Sequence, residues 1–310
     1  MSARLRVVRL FSGVILVTTI LVVAFALLPD WIHTWGATEE EIGRAMPGDE
    51  ILPQPALTWT HGIIIQAPPE EVWPWIAQIG DDRGGFYSYT FIENLIDPDD
   101  RYHNANEILP VFQDPQPGEG LIMDYLIVDR VEPGQYLLAQ LADLSEMEGS
   151  PLPSGGWTWL WHLSPSGEGA TRLVVRMHIQ LGEVAGSSLM TGVMDVGGFV
   201  MERRMMQGIK DRAEGRLDPP GSEAIEIGLW VVALAAGLTA AVLFLLRSAW
   251  QIPLLLALFS VFSLLAFTFL QPPILIRVLI DAVLVGGLVV FILRQRAATP
   301  RDLVQTRNST

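Results

Sequence analysis

The sequence predicts an α+β domain carried between helices that cross a membrane, and three observations predict it. Apolar runs at residues 10–28, 227–246, 252–270 and 274–293 are each long enough to traverse a hydrocarbon core, which takes about 20 residues at a helical rise of 1.5 Å. Between the first run and the second lies an insert of opposite character, with 31 acidic residues against 11 basic ones in residues 30–223. Inside that insert, segments of period two alternate with segments of helical spacing, in the order strand, helices, strands, helix.

The four runs read as transmembrane helices because single segments of this length have no other way to satisfy their backbone in lipid. The first run keeps two readings open: a signal anchor, or a cleaved secretory signal, since Arg4, Arg6 and Arg9 precede it and Ala24-Phe25-Ala26 resembles a cleavage site. Trp31 and Trp35 after it suit an interfacial anchor. Basic residues flank one side of the membrane, at Arg4, Arg6 and Arg9, at Arg247 between the second and third runs, and at Arg294, Arg296, Arg301 and Arg307. The positive-inside rule then predicts both termini in the cytoplasm and the acidic insert outside it.

The remainder of the chain holds 3 acidic and 9 basic residues, so the net charge of −14 conceals a strongly acidic insert and a basic remainder. Such an insert is repelled by phosphate backbones, which excludes a nucleic-acid partner. No cysteine is present, and disulfides, thiolate nucleophiles and cysteine zinc sites are excluded together.

Within the insert, Thr38-Glu39-Glu40-Glu41 is a capping-box pattern for a short helix, and Pro47, Pro53 and Pro55 break the chain into a linker over 31–56. The alternation of Thr58, Thr60, Gly62 and Ile64 with Trp59, His61, Ile63 and Ile65 predicts a strand. Val72, Trp75, Ile76 and Ile79 recur at helical spacing behind Pro69, with a kink expected at Pro74 and an end at Gly80. A second helix is predicted over about 87–96, strands over 119–131, 135–142, 155–164 and 170–182, and a final helix over 193–215. A linker at 218–226 leads to the three-helix membrane segment, 227–294, and a tail, 295–310.

Five stretches carry a family resemblance: Ala-Pro-Pro-Glu-Glu-Val-Trp-Pro-Trp at 67–75, Gly-Gly-Phe-Tyr-Ser-Tyr at 84–89, Val-Glu-Pro-Gly at 131–134, Thr-Arg-Leu-Val-Val-Arg at 171–176, and Phe-Val-Met-Glu-Arg-Arg-Met at 199–205. In this order and spacing, residues 57–217 resemble the START-like, helix-grip superfamily called SRPBCC. The resemblance implies a curved antiparallel sheet wrapped on a long C-terminal helix, around an apolar pocket for lipids, sterols, polyketides or similar molecules. It implies no reaction, because members of one fold differ in chemistry.

Trp157, Trp159 and Trp161 alternate along one strand face, with Thr158, Leu160 and His162 on the other. The tryptophan face is either a ligand wall or packed core. Trp73, Trp75, Phe86, Tyr87, Tyr89 and Phe91 form a second aromatic group, read as opposite rim or as core, and Met205 of the final helix joins the candidate ligand set. Arg176 and His178 alternate with an apolar set, Leu173, Val175, Met177 and Ile179; they lie on the outside of the sheet or, if inward, meet a ligand carbonyl or carboxylate. Glu93 is the carboxylate candidate at the pocket mouth.

The histidines lack the short spacing of a metal site, and Asp97, Asp99 and Asp100 lack the glycine of a calcium loop, so no metal or cofactor is expected. No phosphate loop or nucleophile elbow is present. In the membrane segment, Arg277 and Asp281 are spaced to pair on one helix, and Ala233, Gly237 and Ala241 form a small-residue stripe for packing within the chain or against a second copy. The leading expectation is a noncatalytic, membrane-anchored domain that binds a hydrophobic small molecule or lipid. The alternatives are a cyclase or aromatase in which His178, Arg176 or Glu93 polarises a carbonyl, and a membrane sensor or protein-interaction module.

Overall fold

Alternating side chains build a six-stranded antiparallel sheet in the computed structural model, which describes residues 3–96, 102–122, 125–142, 156–180, 188–219 and 221–297. The chain divides into two units, Leu27–Pro219 and Met1–Ala26 with Pro220–Thr310. The sheet belongs to the first, in the order β1-β6-β5-β4-β3-β2. Its strands are β1 (Leu57–Ile65), β2 (Gly120–Ile122), β3 (Leu126–Glu132), β4 (Tyr136–Leu141), β5 (Gly156–Pro165) and β6 (Thr171–Gln180).

Chain reversal between strands follows the expected turn chemistry. Gly134 closes the β3–β4 turn and Gly167 and Gly169 close the β5–β6 turn, all at positive φ. One long strand was expected over 119–131; the structure has two, β2 and β3, paired antiparallel about a reversal in which Tyr125 N–H donates to Ile122 O at 3.0 Å. Period-two patterning continues through such a reversal, so it cannot signal one.

The helices of this unit are α2 (Pro29–Thr34), α3 (Glu39–Gly43), α4 (Pro69–Ala77), α5 (Thr90–Ile96) and α6 (Ser188–Ala213). Pro69 opens α4 where its missing N–H costs nothing, and Glu70 and Glu71 sit at the positive end of its dipole. Pro74 lies inside it, and α4 ends at Ala77, three residues before the expected Gly80.

Each face of the sheet has its own cover. On one, Trp59, Ile63, Ile65, Trp159, Trp161, Leu163, Leu173, Val175 and Met177 pack with Val72, Trp75 and Ile76 of α4 and Met205, Met206 and Ile209 of α6. On the other, Leu138, Leu160 and Val174 pack with Met46 and Ile51, from the proline-broken stretch read as linker. That stretch is folded onto the sheet. Thr38 and Glu41 form the expected capping box on α3, and Glu41 then accepts from Arg172 on β6, Nε at 2.8 Å and Nη2 at 2.7 Å.

The second unit holds α1 (Ala3–Leu27), α7 (Ser222–Leu246), α8 (Gln251–Phe269) and α9 (Ile274–Ala297), all four long and apolar enough to cross a membrane. Ala233, Ala236 and Ala240 of α7 pack against Phe267 of α8 and Leu284 and Leu288 of α9. A Cβ at Gly237 would stand 2.2 Å from Ser260 Oγ, so this part of the small-residue stripe serves packing within the chain. Arg277 departs from its expected pairing with Asp281. Its Nη1 lies 3.3 Å from Glu226 Oε2 on α7, and its Nε donates to Pro272 O at 2.8 Å. The acidic cluster Asp97, Asp99 and Asp100 and the tail beyond residue 297 lie outside the described residues.

Candidate functional site

The tryptophans of β5 are packed on the helix-covered face, held in register by β4 and β6. Trp159 faces Met177 and Ala139, and Trp161 faces Val175 and Leu137. Their rings form a continuous ladder, with centroids 5.7 Å apart between Trp157 and Trp159 and 4.4 Å apart between Trp159 and Trp161. Phe86 stacks on Trp159 at 5.9 Å, nearly parallel, and Tyr102 lies 6.2 Å from Phe86. Trp161 is fully buried, Trp159 nearly so, and Trp157 half-buried at the ladder's end. All three indole Nε1 atoms are shielded from solvent, and none finds an acceptor among the described residues.

The remaining candidates divide by location. Trp73, Phe86, Tyr87 and Met205 share the core with Trp159 and Trp161. Tyr87 is an anchor, its hydroxyl donating to Trp75 O at 3.0 Å and its ring lying 4.7 Å under the Arg212 guanidinium. Burial raises its phenol above the ordinary value, with Gln78, Arg212 and Arg83 opposing. Tyr89 is buried beside Phe91 and under Arg204, and Glu93 is half-buried on α5.

Arg176 and His178 occupy the opposite face, beneath residues 41–52. Arg176 donates to Thr60 Oγ1 (3.2 Å), Arg44 O (2.9 Å), Asp49 Oδ2 (2.8 Å), Ile42 O (3.3 Å) and Glu41 O. His178 Nδ1 lies 3.2 Å from Leu52 O, and its Nε2 3.6 Å from Asp49. Burial holds this imidazole below its ordinary value; Asp49 opposes the shift and Arg176 adds to it. The structure therefore does not bring these two residues together with the tryptophan ladder.

A polar cluster in the helix-covered face was missed by sequence reasoning. His61 is fully buried on β1, its Nδ1 2.5 Å from Glu202 Oε1 of α6 and its Nε2 2.5 Å from Ile32 O of α2. A carbonyl only accepts, so Nε2 carries the hydrogen of the contact with Ile32 O. One helical stretch earlier, Asp195 accepts from Trp59 Nε1 at 2.9 Å and lies 2.7 Å from His33 Nε2. Trp31 and Trp35, expected as interfacial anchors, pack here: Trp31 meets Phe199 at 5.0 Å, and Trp35 lies 4.2 Å from the Arg203 guanidinium. Burial pushes Arg203 down to about 10, which leaves it charged at neutral pH. The cluster joins α2, β1 and α6. Its sequence signals were a histidine on the Trp59–Ile65 face of β1 and a carboxylate in the apolar stripe of α6.

Two grooves open elsewhere. One of about 360 Å³ is lined by His103, Ala105, Asn106, Glu107 and Leu109; another of about 310 Å³, in the membrane-length unit, is lined by α1, α7 and α8 around Arg9, Phe244 and Trp250. Neither borders the ladder. No three histidine or acidic side chains among the described residues are grouped to hold a metal ion.

No family model and no curated protein matches the chain. Among solved structures it is similar to a Mesorhizobium loti protein, 17% identical over 52% of this chain and 99% of that one, with a TM-score of 0.30. It is also similar to a Thermobifida fusca protein, 11% identical over 51% and 94%, TM-score 0.29. CalU16 from Micromonospora echinospora is 17% identical over 51% and 84%, TM-score 0.22. These scores are low, and the functional reading rests on the side chains.

Proposed function

We propose that Leu27–Pro219 is a helix-grip, START-like domain that binds a hydrophobic small molecule or lipid against its tryptophan ladder, without catalysis, and that the apolar helices hold it at a membrane. The three buried indole N–H groups without an acceptor among the described residues carry this reading. A buried donor left unsatisfied costs about 1–3 kcal/mol, and native cores hold few of them. Three on one face, stacked at ring-contact distances, suit a flat or extended apolar ligand bearing carbonyl or hydroxyl oxygens. Of the expected ligand set, Trp157, Trp159, Trp161, Phe86, Trp73 and Met205 stay with this site. Arg176 and His178 are engaged on the other face, and this favours binding over a cyclase mechanism that would use them. From the charge of the flanks, both termini are cytoplasmic and the domain is extracytoplasmic.

The test is native mass spectrometry of the full chain, released from mild detergent, with solvent extraction and identification of what copurifies. A stoichiometric apolar ligand is expected. Trp159→Phe, which keeps an aromatic ring but removes the donor, is expected to lower its retention. An empty protein that also fails to take up any lipid class offered in nanodiscs would overturn the reading.

A further inference from the structure

Ionisable residues are scarce in the three packed apolar helices. There are none in α8, Glu223 and Glu226 near the start of α7, Arg277 and Asp281 in the first half of α9, and Arg294 and Arg296 at its far end. Glu226, Arg277 and Asp281 are each at most 5% exposed even without lipid around them. Two of the three answer one another. Arg277 forms its ion pair with Glu226 across the helix interface, gives its Nε–H to Pro272 O, and rests 5.5 Å from the Phe267 ring.

Asp281 has no such partner among the described residues. Neither carboxylate oxygen accepts a hydrogen bond from any of them, although both are shielded from solvent. The buried serine hydroxyls of α8 are already committed, Ser260 to Ala233 O and Ser263 to Phe259 O, each at 2.7 Å. Asp281 lies seven residues into α9, about 10 Å along the helix axis at 1.5 Å per residue. With Glu226 and Arg277 balanced, an ionised Asp281 would be an uncompensated charge in a low-dielectric bundle. No group of histidine and acidic donors among the described residues is arranged to neutralise it with a metal ion. A proton removes the charge, leaving one neutral O–H donor whose burial costs far less than that of an unpaired carboxylate.

We propose that Asp281 is a proton-binding site inside the helical bundle, its carboxyl group held as the neutral acid while the Glu226–Arg277 pair carries the local charges. This rests on the reading of α7, α8 and α9 as membrane-spanning, so membrane integration is checked separately, by resistance of the full chain to alkaline carbonate extraction. The test uses the full chain in membrane vesicles with dicyclohexylcarbodiimide, an apolar reagent. A protonated carboxyl group adds across its C=N bond, the acid proton going to nitrogen and the oxygen to carbon, and rearrangement leaves a stable N-acylurea. Peptide mapping is expected to find the adduct on Asp281 and not on Glu226, with a water-soluble carbodiimide leaving Asp281 unmodified. Asp281→Asn is expected to lose the label. Glu226→Gln frees Arg277 to hold Asp281 as the anion, and the label on Asp281 is expected to fall. Adduct on Glu226 alone, adduct on neither, equal labelling of Asp281 by the water-soluble reagent, or full labelling of Asp281 in Glu226→Gln would each overturn the proposal, and the wild-type arms need no variant to fold.

Discussion

Arg176 donates to five oxygens, one from β1 and four from residues 41–49, and so fastens the proline-broken stretch to the sheet. Replacing it with methionine keeps the stem but leaves the Asp49 carboxylate with the Met46 N–H and takes the guanidinium from three carbonyls. Arg176 is buried but Asp49 is partly exposed, so the cost falls below the ~3–5 kcal/mol of a fully buried pair, and Arg176→Met is expected to lower the melting temperature of the protein. Thermal denaturation checks this; an unshifted melt with lost ligand retention would make Arg176 a ligand residue after all. Gly208 tests the other face. A Cβ there would lie 2.3 Å from Tyr87 O, and Tyr87 already holds a strained φ of 57°. Gly208→Ala is expected to destabilise by about 1–3 kcal/mol, the usual range for overpacking, read from the same melts. At this scale the sequence was half legible. Alternation correctly grouped Arg176 with His178 and set the tryptophans on a face of their own. It could not say which face was covered by what, because period two is symmetric about the sheet. The His61–Glu202 contact joins residues 141 positions apart, and no local pattern reports such a distance.

Elements with a strong local signal appear where expected: α3 behind its capping box, α4 behind Pro69, and the β5–β6 hairpin around its glycines. Those whose limits depend on tertiary contacts moved. Helix α6 begins at Ser188 rather than 193, α5 at Thr90 rather than 87, and a single expected strand is the β2–β3 hairpin. The attachment of α3 to the sheet is itself titratable. Hydrogen bonds from the Arg172 guanidinium, against the opposing effect of burial, hold the Glu41 carboxyl down at about 2, where its ordinary value is 4.5. A depressed carboxylate contributes stability that is present above its unfolded value and is lost as pH falls toward its folded one. Between pH 4.5 and about 2, therefore, the α3 clamp is expected to weaken. Hydrogen exchange by mass spectrometry across this range should show residues 38–56 opening progressively more often as pH falls, after correction for the intrinsic rate. Glu41→Gln should expose the same segment already at neutral pH. Uniform opening of the whole sheet, with no excess at 38–56, would mean that this ion pair does not control the attachment.

The whole molecule joins an acidic α+β unit to four helices long enough for a bilayer, and charge connects the two descriptions. Every basic residue of α1 lies in its first turns, at Arg4, Arg6 and Arg9, and those of α9 beyond Arg277 lie in its last turn, at Arg294 and Arg296. Arg9 donates to carbonyls at the end of α7, Phe244 O at 3.2 Å and Arg247 O at 2.7 Å, so the first turns of α1 and the end of α7 share one end of the helical unit. The extracytoplasmic placement proposed for the acidic domain, reached through α1 and left through α7, rests on these flanks, since short flanking loops set orientation while long domains follow. The absence of native cysteine makes the consequence simple to measure. A single cysteine at Glu168, in the exposed β5–β6 turn, is expected to react with a membrane-impermeant maleimide from outside intact cells or spheroplasts, whereas one at Arg296 reacts only after permeabilisation. The reverse pattern would put the tryptophan ladder on the cytoplasmic side, and the pool from which it draws a ligand would be the inner leaflet. Reaction of both sites from outside would mean that α9 and α1 do not span as a matched set, and the basic flanks would then have to be read as surface contacts with anionic lipid.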